Sequence, residues 1–145
     1  MPPPPTDLGD RLEALGRELG AREAPFRDEI TRARGVAEKL RDRVADALGR
    51  FHRAAAEAGA PQLETVVSDT RADDKHLRAV QFDLARGRYR AIVTVKARGE
   101  VTLVGPFRAG KDEGPCRTFP IGSESEIDGA LVGFLERFLE EAATP

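Results

Sequence analysis

PFRDEITRARGVAEKLRDRVADALGRFHRAAAEAG, residues 25–59, is the stretch on which the fold turns. Phe26, Ile30, Ala33, Ala37, Leu40, Val44, Ala47, Phe51, Ala54 and Ala58 recur in it at alternating steps of four and three, the seam of a packed helix. Pro25 suits the start of such a helix, where a missing N–H costs nothing, and only Gly35 and Gly49 interrupt the run. The pattern predicts a helix over 26–58, roughly 48 Å long at about 1.5 Å per residue. Its alanines make a narrow seam that favours close helix approach. The expected partner is either a preceding helix folded back as a hairpin or a second copy of the chain. In the second case the dimer seam is Phe26, Ile30, Ala33, Ala37, Leu40, Val44, Ala47 and Phe51.

Upstream, residues 1–6 form a proline run that reads as an extended tail. Asp7 then caps a first helix to about Ala21, with Leu8, Leu12, Leu15 and Leu19 on one stripe. Gly9, Gly16 and Gly20 weaken that helix, so it needs a packing partner.

Downstream of Gly59-Ala60-Pro61 the hydrophobic period changes to two. Strands are expected at about 63–70, 77–86, 88–98 and 101–107, with a fifth at 116–121. Gly87 and Gly99 sit where tight hairpins need positive φ, which predicts an antiparallel meander. Val80, Phe82, Leu84, Tyr89, Ala91, Val93, Val95, Val101, Leu103 and Phe107 mark its buried face. Ser123, with Glu126 three residues on, opens a last helix whose Ile127, Leu131, Phe134, Leu135, Phe138 and Leu139 suit it to cover the sheet. The fold class is therefore α+β: two N-terminal helices, a four- to five-stranded β meander and a C-terminal helix packed on the sheet. A tail over 1–6, a helical stem over 7–59 and a head over 60–145 share one unit.

With 145 residues, 40% hydrophobic and 33% charged, the chain has room for one aliphatic core without metal or disulfide. Cys116 is its single cysteine, which excludes an intrachain disulfide and fits a reducing cytoplasm. No run approaches the length of a membrane span, and the first residues do not read as a secretory signal. Arginine over lysine, with much Ala, Gly and Pro, fits a GC-rich bacterial genome. The formal net charge of -2 is unevenly spread: residues 71–117 hold 11 basic and 6 acidic side chains, and residues 118–145 hold 1 and 6. A basic sheet covered by an acidic helix accounts for both.

Chemistry-bearing motifs are weak. Gly105-Pro106-Phe107-Arg108-Ala109-Gly110-Lys111 matches GxxxxGK, yet Asp112 stands where a phosphate-binding loop needs a hydroxyl, and Gly114-Pro115 prevents the helix that should follow. Asp69, Asp73, Asp74 and His76 could hold a divalent cation, or form an acid/base pair if folding brought His52 near, but their spacing matches no calcium loop and reads as an acidic hairpin turn. Cys116 beside Arg117, and Ser68, Ser123 and Ser125, lie in no nucleophile motif. No cofactor is implied. Arg78, Arg86, Arg88, Arg90, Lys96 and Arg98 would cluster around one hairpin as a footprint for nucleic acid or another polyanion, although no stacking aromatics accompany them. The favoured expectation is a non-catalytic adaptor, dimeric through the helix 26–58 and meeting a protein partner through the sheet or the loop 108–115. A polyanion binder and a ligand pocket between sheet and last helix are the alternatives.

The seam yields a mutational expectation. Leu40→Asp should unfold or dissociate the protein and Arg41→Asp should be nearly silent, which urea denaturation reads.

Overall fold

The 16-residue helix α1 (Leu8–Glu23) starts where expected, with the Asp7 carboxylate accepting the Asp10 N–H at 3.1 Å. Ala24 and Pro25 keep right-handed helical backbone angles, and the chain passes almost directly into the 32-residue helix α2 (Phe26–Glu57). Gly59, at φ 91°, stops it. A short 3₁₀ turn (Pro61–Leu63) leads into strands β1 (Val66–Val67), β2 (Arg71–Asp73), β3 (Ala79–Arg86), β4 (Tyr89–Lys96), β5 (Glu100–Arg108) and β6 (Cys116–Pro120). Helix α3 (Glu124–Ala143) closes the fold. The computed structural model describes residues 7–73, 78–110 and 114–143. The proline run therefore lies outside the described residues, as do Asp74, His76, Lys111 and Asp112.

The six strands form one antiparallel sheet in the order β1-β3-β4-β5-β6, with β2 also on the outer edge of β3. The α+β class and the meander are as the periodicity implies. Hairpins turn at Gly87 (φ 55°) between Arg86 and Tyr89, and at Gly99 (φ 107°) between Lys96 and Glu100.

Two strands depart from the expectation. The one placed at 63–70 shrinks to Val66–Val67: Leu63 belongs to the 3₁₀ turn, and after a break a further short edge strand forms at Arg71–Asp73, outside the expected strands. At the break the Ser68 hydroxyl accepts the Asp83 N–H at 2.8 Å while the Ser68 N–H donates to the Asp83 carbonyl at 2.9 Å. The side chain replaces a main-chain acceptor there. The second departure is a bulge in β5. Gly105 has φ 115°, and a Cβ on it would lie 3.0 Å from Ala91 Cα, so only glycine fits. The extra residue reverses the alternation. Phe107 pairs with Arg90 and so stands on the face away from the helices, not in the core.

Both α2 and α3 pack on one face of the sheet, α2 over β3 and β4 and α3 over β5 and β4. Ala33, Ala37, Leu40, Val44 and Leu48 of α2 share a core with Val80, Phe82 and Leu84, Val93 and Val95, Val101 and Leu103, and Ile127, Leu131, Phe134 and Phe138. The seam is thus satisfied by the chain's own sheet. It also drifts: a straight helix has about 3.6 residues per turn, not the 3.5 of a heptad, so Leu48 replaces Ala47 at the interface. Ala47, Ala54 and Ala58 are exposed. The folded-back hairpin is absent, since α1 buries no residue and carries its leucines into solvent. Arg41, expected to be a bystander, donates from Nε to the Ser68 carbonyl at 3.2 Å and stands 3.5 Å from Asp69. It holds the broken edge and is a poor silent control.

Leu48, 2% exposed, tests this phase directly. Leu48→Ala should lower unfolding stability by about 2–5 kcal/mol, and Ala47→Gln should change it by about 0.5 kcal/mol or less, in urea denaturation of the full chain. Comparable losses would return the seam to the strict heptad.

Candidate functional site

The basic residues predicted to share a sheet face are dispersed by the fold. Arg78, at φ 44°, reaches the α1–α2 junction, where its Nη2 donates to Glu23 Oε1 at 2.8 Å and its guanidinium lies 3.8 Å from the Phe26 ring centroid. Arg86 lies on the helix side, donating to the Ala142 carbonyl in the last turn of α3 and to the Gln62 carbonyl at 3.3 Å. A cation there meets the negative end of the helix dipole. Arg88 is exposed in the first hairpin turn, and Arg90 folds back onto the Gly87 and Tyr89 carbonyls at 2.7 and 2.8 Å. At the other end of β4, Lys96 and Arg98 lie 3.8 and 3.0 Å from the single carboxylate of Glu100. Apart from exposed Arg88, these cations meet internal carbonyls and carboxylates at separate places.

The sheet face opposite the helices is instead built around a polar row. Cross-strand register aligns Gln81, Thr94, Thr102 and Thr118. Thr94 Oγ1 donates to Gln81 Oε1 at 3.3 Å, and the hydroxyls of Thr102 and Thr118 lie 3.1 Å apart. Thr94 and Thr102 are buried between these neighbours. Ala79, Lys96, Glu100 and Pro120 flank the row on one side, and Asp83, Ile92, Val104 and Cys116 on the other. Arg71 pairs with Asp83 at 2.8 Å. Opposite charges alternate across this face, which gives a polyanion no continuous track.

Of the candidate catalytic groups, His52 and Asp69 make contacts within the fold. His52 Nε2 accepts the Thr65 N–H at 2.9 Å, and its ring meets Phe51 edge to face at 5.9 Å, pinning the end of α2 to the chain leading into β1. An imidazole protonated at Nε2 could not accept that bond. Cys116 is exposed on the edge strand, and the neighbouring Arg117 guanidinium lies over the Phe119 ring, 4.9 Å from its centroid. Asp69 is engaged by Arg41. Among the described residues no group of three or more His, Cys, Asp or Glu side chains could hold a metal ion. Gly105 of the GxxxxGK string answers to the bulge packing, and its lysine lies outside the described residues.

Two grooves among the described residues flank α3. The groove between β5, β6 and α3 has about 190 Å³ and is lined by Leu103, Gly105, Phe134, Arg117 and Arg137 among others. That is below the roughly 300 Å³ at which small-molecule sites begin. A second groove of about 330 Å³ lies between α2 and α3 beside Val36, Leu40, Ile121 and Ile127. There Arg43 donates to Asp128 at 2.6 Å, tying the two helices together.

Of the proposed dimer seam, Ala33, Ala37, Leu40 and Val44 are buried in the chain's own core, Ala47 is exposed on another face, and Phe26, Ile30 and Phe51 are half-buried. A second copy cannot reach the central residues without displacing the sheet. The unpartnered apolar surface lies one helix earlier. Leu8, Leu12, Leu15 and Leu19 are 72%, 57%, 45% and 45% exposed on one stripe. The stripe was legible in the sequence, but its being left uncovered was not.

No protein-family model matches the chain. No curated protein and no solved structure matches it either.

The dispersal of the arginines generates a test. Arg86→Leu should cost about 1–3 kcal/mol of unfolding stability, because two main-chain carbonyls lose a charged donor, whereas Arg88→Leu should stay within about 0.5 kcal/mol. Equal effects in urea denaturation would mean that Arg86 is a surface group.

Proposed function

We propose that this chain is a non-catalytic protein-binding module of the cytoplasm whose docking element is helix α1. One observation carries the reading: four leucines in a single stripe stand 45–72% exposed on a helix that buries none of its residues. A soluble domain gains nothing from such a stripe unless something covers it, and a 16-residue helix is marginal without packing. The rest of the molecule supports a carrier role. Its core is closed, His52 and central arginines serve the fold, and its open sheet face is a row of Gln81 and threonines bonded in pairs. The dimer helix expected at 26–58 and the partner surface expected at the sheet or loop 108–115 thus give way to α1, with α2 as the rigid mount. Its single exposed cysteine suits a reducing compartment. No helix among the described residues is long and apolar enough to cross a membrane.

A photo-crosslinking amino acid at position 12 of the full chain, in the cells that naturally express it, tests the reading. Discrete protein adducts are expected from position 12 and none from the equally exposed Val132 on α3. Absence of any adduct at positions 12 and 15 would remove α1 as a docking element.

A further inference from the structure

The pattern of charges and glycines beside the leucines identifies what covers them, given that α1 is the docking element. Leu8, Leu12, Leu15 and Leu19 occupy successive d, a, d and a positions of a heptad. In the same frame Arg11 and Glu18 take the g positions that border the seam, and Gly9, Gly16 and Glu23 take the e positions. We infer that the occupant is α1 of a second copy, packed antiparallel.

In an antiparallel pair each a residue faces a d residue of the partner. Leu12 meets Leu15 of the second copy, Leu8 meets its Leu19, and a two-fold axis repeats both contacts. The g positions then face one another, so that Arg11 of each helix meets Glu18 of the other, giving two opposite-charge contacts. The e positions face one another too, and Gly9 lies against Gly16 twice. A parallel pair with the same leucine seam sets g against the following e. It would bring Glu18 against Glu23 on both sides and leave Arg11 against glycine. Like charges flanking a short seam decide the orientation.

Three further features agree. Among the described residues no carboxylate pairs with Arg11, whereas the other arginines of α1, Arg17 and Arg22, are engaged by Glu13 and Glu18 one turn away. Nothing within the chain calls for glycine at 16, where an added Cβ would meet no atom within 4 Å, yet glycine lowers helix stability. Antiparallel backbones approaching over Gly9 and Gly16 supply a reason. Glu23 lies beyond the paired segment and keeps its contact with Arg78. A lipid surface is the poorer occupant, because the helix and its cap, residues 7–24, carry five acidic and three basic side chains and would be repelled by anionic headgroups.

Sedimentation velocity on the full chain, from micromolar to submillimolar loading, tests the pairing. The expected result is a concentration-dependent shift from 15.8 kDa to twice that mass. The double variant Leu12→Asp, Leu15→Asp should stay at 15.8 kDa with an unchanged thermal midpoint at low concentration, since α1 lies outside the core. Glu18→Arg should weaken association roughly tenfold, and combining it with Arg11→Glu should restore it. Association tightened or unchanged by Glu18→Arg would overturn the antiparallel register. Wild-type protein that stays monomeric throughout would overturn self-pairing. Crosslinks from position 12 to a different protein would then keep α1 as a docking element, and their absence would dismiss both readings. Pelleting of the monomer with phosphatidylglycerol vesicles would assign the stripe to lipid and likewise overturn the pairing.

Discussion

The seating of α2 on β3 and β4 is the constraint from which the rest of the structure follows. Ala33 and Ala37 are fully buried there, and their small side chains let the helix backbone come close to Val80, Phe82 and Val93. Leu40, Val44 and Leu48 continue the contact along the strands. Burying side chains of this kind is worth about 1.5–3 kcal/mol each for the larger ones, and no polar interaction in the molecule approaches that sum. Once α2 occupies one half of the sheet face, α3 takes the other half with Ile127, Leu131, Phe134 and Phe138. The face is then full. α1 takes no part in this packing and leaves the body at Ala24-Pro25.

Side chains that look like chemistry in the sequence serve this packing. His52, Arg86, Arg43 and Arg41 each fasten a helix to a neighbouring segment: to Thr65, to the end of α3, to Asp128 and to Ser68. A buried or half-buried main-chain group without a partner is costly, and long cationic side chains are an economical way to reach one across a gap. The arginine-rich middle of the chain is accordingly a set of internal donors distributed around the sheet rims. Arg78, Arg71 and Arg98 meet Glu23, Asp83 and Glu100, and Arg86 meets a helix-end carbonyl.

What remains outside this economy is α1. Its leucines have the spacing of a seam, a Cβ added at Gly16 would meet no atom within 4 Å, and Arg11 stands beside the stripe without a carboxylate among the described residues. The fold is thus a closed body with one uncovered amphipathic arm. The same fold explains why the arm can be altered without disturbing the core, because Arg78 at the junction is its one described side-chain link to the sheet.

By itself the sequence determined the elements and the class: the long helix from its apolar period, the hairpins from Gly87 and Gly99, and the last helix from its broad stripe. These are local properties, set by backbone sterics and by which residues share a face. Tertiary structure alone decided what each face meets. A seam at steps of four and three states that a stripe is covered, and it is silent on whether a helix, a second chain or a sheet covers it. The choice of the sheet moved the contact from Ala47 to Leu48, because a helix packed on strands keeps its own 3.6-residue turn. The bulge at Gly105 turned Phe107 to the opposite face, and the directions taken by Arg78 and Arg86 scattered a patch that alternation alone would have gathered. The leucine stripe of α1 stayed exposed for the same reason: its covering depends on space left over after non-local packing, and no local pattern records that.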